Sequence, residues 1–140
     1  MASAEQWEWE FLGFESVAEG QPVQVWFNNL PDEAKDEIID LVQHMRTATS
    51  TLWRRPEYDP LDGEEGISEL RPTNVRTEQG MVTYRIYGFR ETRVYILLHG
   101  NRKGVTNDLQ AKQIASGRLG QLQRREARTH KFDFEGKYST

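Results

Sequence analysis

The run Tyr84-Arg85-Ile86-Tyr87-Gly88-Phe89, a break at Arg90-Glu91-Thr92, and then Arg93-Val94-Tyr95-Ile96-Leu97-Leu98-His99-Gly100-Asn101-Arg102-Lys103 decides the fold. Both halves are dense in β-branched and aromatic residues, and a short polar link joins them, which is the pattern of an antiparallel hairpin. We read the strands as Met81–Phe89 and Arg93–Asn101. Upstream, Ile67-Ser68-Glu69-Leu70-Arg71 stops at Pro72, and Gly80 breaks the chain before Met81, so a third strand completes a meander. Strand alternation places Val82, Tyr84 and Ile86 on one face and Arg85, Tyr87 and Phe89 on the other. In the next strand it sets Val94, Ile96 and Leu98, an apolar set suited to helices, against Tyr95, Leu97, His99, Asn101 and Lys103.

Outward from the meander, Trp7-Glu8-Trp9-Glu10-Phe11 alternates aromatics with carboxylates and reads as an N-terminal strand. Pro22 opens a short helix whose Val23, Trp26, Phe27 and Leu30 form one stripe. After Pro31, a second helix carries Ile38, Leu41, Val42 and Met45 on one face, with Asp32, Glu33, Asp36 and Glu37 in its first turns. Residues 47–66 show no period. After Gly104, Thr106 or Asn107 can cap a last helix with Ala111, Ala115, Leu119 and Leu122 in line. Its other faces carry Lys112, Arg118, Arg124, Arg125 and Arg128. The expected fold is α+β: a small antiparallel sheet, an N-terminal strand plus the meander, with a two-helix hairpin on one face and a basic C-terminal helix. Residues 1–130 form one domain, and 131–140 are a tail or an edge strand through Phe132 and Phe134.

The 140 residues include no cysteine, which removes disulfides, a thiol nucleophile and a cysteine metal cage. Three scattered histidines do not make a zinc site. No apolar run approaches the roughly eighteen residues of a membrane span. With an acidic, aromatic N-terminus that does not resemble a secretory leader, the expectation is a soluble cytoplasmic domain without cofactor or membrane. The net charge of −4 conceals a polarity: residues 1–70 balance at −12 and residues 71–140 at +8. Charge segregated in this way suits a polyanionic partner, unless the halves neutralise one another in the fold.

One strand assignment gathers Arg71, Arg85, Tyr87, His99 and Asn101 on an open sheet face, with Arg102 and Lys103 at its end. Cations interleaved with rings on a sheet hold single-stranded RNA, phosphates on the cations and bases on the rings. Each residue also has a plain structural use. Arg71 and Arg85 can form cross-strand ion pairs, His99 can be a hydrogen-bonded core histidine, and Arg102-Lys103 can be a charged turn.

The order Leu30-Pro-Asp-Glu-Ala-Lys35, Pro56, Pro60-Leu61, Ile67–Arg71, Tyr84–Tyr87, Ile96–Lys103 and a basic helix resembles the toxins of the RelE/HigB type, in their phage-derived branch, across about residues 7–126. The resemblance implies the toxin of a type II toxin–antitoxin pair that cuts mRNA in the ribosomal A site, with a helix-turn-helix antitoxin as partner. It implies that Arg85 contacts the scissile phosphate, that Arg71 matches the arginine of the preceding strand, and that Arg102 or Lys103 protonates the leaving group. Metal-free cleavage by a 2′-hydroxyl needs a proton acceptor, a proton donor and cations around the developing charge. We assign the acceptor role to His99 as a hypothesis, while the strand position usually occupied by lysines in the family offers Ile67 and Glu69. Tyr87, Asn101, Lys112 and Arg118 are the expected RNA-binding set. The alternative is a non-catalytic module on the same scaffold, a gyrase inhibitor or an antitoxin-binding regulator. A phage structural or accessory protein is a third possibility.

Overall fold

The computed structural model describes residues 9–47, 58–61, 66–72, 74–77, 80–103 and 107–135. Strand β1 (Glu10–Glu15) leads into helix α1 (Pro22–Asn28) and helix α2 (Asp32–Thr47). Then come β2 (Tyr58–Pro60), β3 (Ile67–Leu70), β4 (Val75–Thr77), β5 (Gly80–Val82), β6 (Tyr84–Glu91) and β7 (Val94–Arg102). Helix α3 (Asp108–Gln123) and β8 (Arg128–Lys131) follow. Six strands form one sheet in the order β2-β3-β6-β7-β1-β8, and β4 with β5 makes a separate ribbon. The fold is α+β with a mostly antiparallel sheet.

The meander β3-β6-β7 is present and antiparallel. The N-terminal strand differs from expectation in where it ends and in direction. It runs over Glu10–Glu15, parallel to β7, with Glu10 opposite Val94 and Gly13 opposite Leu97. The expected start at Trp7 lies outside the described residues. A strand also sits inside the stretch read as aperiodic: Tyr58–Pro60 pairs with β3, while residues 48–57 and 62–65 lie outside the described residues. The edge strand at the other side comes earlier than expected. It ends at Lys131 against β1, and Phe132 then turns into the core at 5% exposure.

Both faces of the sheet are covered. Phe11, Leu70, Ile86, Tyr95 and Leu97 meet α1 and α2 through Val23, Phe27, Ile38, Leu41, Val42 and Met45. On the reverse, Phe14, Ile67, Tyr87, Ile96 and Leu98 meet α3 through Ala111, Ala115 and Leu119. The open face expected from the sequence is therefore roofed in part by α3. The set Val94, Ile96 and Leu98 faces α3, and the helical hairpin packs on Tyr95 and Leu97, the opposite of a single helical layer.

Both helices on the hairpin side begin where the sequence permits. Pro22 occupies the first turn of α1, and Asp32 and Glu33 lie at the positive end of α2. Asn107 caps α3 by accepting the Gln110 amide at 2.7 Å. Gln24, which the apolar stripe of α1 did not single out, is buried and fixes the last segment. Its amide donates to the Asp133 carbonyl at 2.8 Å and accepts from the Asp133 N–H at 2.9 Å. Phe132 and Phe134 then pack edge-on against Phe27, at 5.7 and 5.6 Å between centroids.

Candidate functional site

The β6–β7 register slips between Tyr87 and Gly88: Tyr87 faces His99, whereas Gly88 already faces Leu97. Leu98 is the extra residue of a β-bulge, which breaks the alternation of β7. Before the bulge, Val94, Ile96 and Leu98 point toward α3. Beyond it, His99 and Asn101 return to that same side, opposite Tyr87 and Arg85 respectively. The expected grouping of Arg85, Tyr87, His99 and Asn101 on one face is thus present, on the side where α3 lies.

In this group the side chains keep polar atoms without a partner. Arg85 Nε, Tyr87 Oη, His99 Nε2 and Asn101 Oδ1 are buried and make no hydrogen bond. Buried polar atoms in native folds are normally paired, so these four atoms on two register pairs stand out, as does His130 Nε2 on β8; the Tyr87 hydroxyl also feels the neighbouring Glu69 carboxylate. The Tyr87 ring lies 6.1 Å from that of His99. Burial first, and then the Glu69 charge, raises the Tyr87 phenol pKa, so it stays protonated. Burial also pushes His99 down to about 4, with the nearby Arg118 cation adding to the effect and Glu19 opposing it. The imidazole is neutral at pH 7.

Arg71 and Arg85 stand on the same side of the sheet but are already engaged. Glu69, 3% exposed, splits its carboxylate between them, Oε1 accepting from Arg71 Nε and Oε2 from Arg85 Nη1, both at 2.8 Å. Asp59, also buried, accepts from Arg71 Nη2 at 2.6 Å. Within this group, among the described residues, two carboxylates face two guanidiniums. This is the ion pairing that the sequence offered as the plain structural use of Arg71 and Arg85. Asp59 was missed because its strand has three residues and ends at Pro60. The Glu69-Leu70-Arg71 spacing, which puts both charges on one side of a strand, was the available signal for Glu69.

The other expected residues are dispersed. Arg118 is held on α3, donating to Glu19 at 2.8 and 3.2 Å and to the Leu98 carbonyl of the bulge at 2.8 Å, with its guanidinium over Phe14. It acts as a strut between helix and sheet. Arg102 pairs with Tyr84 and so falls on the hairpin side. Lys103 follows it, its N–H bonded to the Thr83 carbonyl at 2.8 Å. Both are exposed, and among the described residues neither they nor half-buried Lys112 form an ion pair.

Grooves lie elsewhere among the described residues. One of about 610 Å³ is walled by Trp9, Arg46, Phe132 and Phe134, and one of about 440 Å³ by Leu12, Phe89, Ile96, Leu119 and Leu122. Among the described residues no trio of His, Asp or Glu is arranged to hold a metal ion, and no helix is long and apolar enough to cross a membrane. Comparison of the chain with protein-family models, with curated proteins and with solved structures gave no match.

Proposed function

We propose that this chain acts on RNA as a toxin of the RelE/HigB kind, cutting mRNA on the ribosome without a metal and held in check by a helix-turn-helix antitoxin in the cytoplasm. The observation that carries this reading is the pair of register partners Arg85–Asn101 and Tyr87–His99, whose four buried polar atoms lack partners on one side of the sheet. A ribose and its phosphodiester offer the donors and acceptors to complete them.

In this reading the 2′-hydroxyl attacks the adjacent phosphorus. The hydroxyl proton passes to a nearby base as the O–P bond forms, and the leaving 5′-oxygen takes a proton as its bond to phosphorus breaks. His99, neutral at pH 7 with Nε2 unclaimed, is the acceptor. Lys103, exposed at the end of β7, is the donor. Arg85 turns a free N–H to the oxyanion. Arg102 and Lys112 supply the long-range attraction for the RNA backbone.

The ion pairs of Arg71 and Arg85 with Glu69 and Asp59 favour a second reading, a non-catalytic module on the same scaffold that binds gyrase or an antitoxin. Induced expression, with the ends of ribosome-bound mRNA mapped at nucleotide resolution, separates the two. New ends from the wild type that disappear in His99→Ala and Lys103→Ala support the nuclease. Growth arrest without new ends, and with DNA supercoiling blocked, supports the gyrase-directed module.

A further inference from the structure

We infer that Glu69 and Asp59 are internal stand-ins for phosphate: they occupy the Arg71 guanidinium fork and one arm of the Arg85 guanidinium and so determine which ligands the site admits. This inference rests on the RNA-acting reading above and names the residues that gate it.

A carboxylate and a phosphodiester present the same feature to arginine, two oxygens that accept parallel N–H bonds. Glu69 uses its two oxygens as a phosphodiester would use its non-bridging pair, one on Arg71 and one on Arg85, at equal distances of 2.8 Å. Asp59 closes the remaining arm of the Arg71 fork at 2.6 Å. Both carboxylates are at least nine-tenths buried, so solvent and salt do little to weaken them. An incoming phosphate meets two fixed negative charges at short range. It displaces them only when other contacts, such as those to Arg102 and Lys103, hold the RNA in place. Free phosphate and short RNA are rejected, and a long, pre-positioned strand is accepted. Asp59 and Glu69 touch no substrate in this scheme and act through the arginines, as positioning residues.

The test uses the full chain as wild type, Glu69→Gln and Asp59→Asn. Inorganic phosphate is titrated while the arginine Nε–H signals are followed by NMR. The wild-type Arg71 and Arg85 signals stay in place; both move in Glu69→Gln and the Arg71 signal moves in Asp59→Asn, with half-saturation at least about tenfold lower. Affinity for labelled single-stranded RNA is then measured against salt. The variants steepen the log–log slope by about 0.7 for each further phosphate that the freed arginines hold. Asp59→Asn leaves the Glu69 bridge intact and keeps the test readable if Glu69→Gln does not fold. Equal phosphate responses in wild type and folded variants overturn the inference. If the variants acquire phosphate binding but no form binds or cuts RNA, the stand-in role holds and the RNA reading falls. If the wild type cuts RNA and the variants bind phosphate no better, the RNA reading holds and the stand-in role falls.

Discussion

Lowering the pH from 7.5 to 5 tests the placement of His99 directly. In the unfolded chain its imidazole takes up a proton from about pH 6.5 downward, whereas in the fold it does so only near pH 4. The unfolded state therefore binds more protons across this window, and stability falls as the pH drops from 6.5 toward 4, then levels off. A gap of 2.5 between those pKa values is worth about 3.4 kcal/mol when fully expressed, of which about 2 kcal/mol develops by pH 5. The ring is half-buried and keeps some contact with water, so we halve the figure to about 1 kcal/mol. The measurement is urea unfolding of wild type and His99→Gln at both pH values. Carboxylates not coupled to His99, such as Glu15, whose pKa is lowered by Arg128, titrate in both proteins and cancel in the difference. The wild type should lose about 1 kcal/mol more than the variant on acidification. A difference between the two proteins that stays flat with pH, or an NMR midpoint for His99 near 6.5, refutes the placement.

Other expectations follow from single contacts. Gly88→Ala sets a methyl group into the Tyr95 ring and within 2.7 Å of the Ile96 carbonyl, so it should cost about 2–3 kcal/mol in urea unfolding. Tyr95→Phe leaves the buried Ser68 hydroxyl without its 2.7 Å partner and should cost about 1–3 kcal/mol, with most of that recovered when Ser68→Ala is added in a double-mutant cycle. Asn107→Ala removes the cap of α3 and should lower stability by about 1 kcal/mol, seen with the same assay. Gln24→Ala frees the Asp133 backbone, and hydrogen exchange at Asp133 N–H should rise well before that of β7 amides.

Elements with a strong period were legible. Val23 and Phe27 of the α1 stripe, the whole α2 stripe and Ala111, Ala115 and Leu119 of the α3 line are buried, while Trp26, Leu30 and Leu122 are half-buried. The meander was legible because its runs are rich in β-formers and sharply bounded. Which layer covers each side was not. Val94–Leu98 is apolar at every position, so alternation there cannot distinguish one face from the other, and both are buried. The parallel pairing of β1 with β7 depends on contacts between distant segments that no local pattern encodes. The grouping of Arg85, Tyr87, His99 and Asn101 was legible, although strict alternation was an incomplete guide, since the Leu98 bulge also returns His99 and Asn101 to the side of Leu98. The pairing of Arg71 and Arg85 with Glu69 was legible as an alternative, but the Asp59 contact was not, because it needs β2 beside β3, and three residues ending in proline give no strand signal.

Strand β1 lies between β7 and β8, the last two strands of the sheet to be synthesised. During translation β1 has no strand to pair with until residues 94–102 have left the ribosomal tunnel. Its outer edge stays open until residues 128–131 have emerged as well. A nascent chain of this design carries sticky, unpaired backbone for most of its synthesis, a window in which chaperone capture or early degradation competes with completion. Moving those first residues to follow β8 through a permuted gene would shorten that interval and should raise soluble yield.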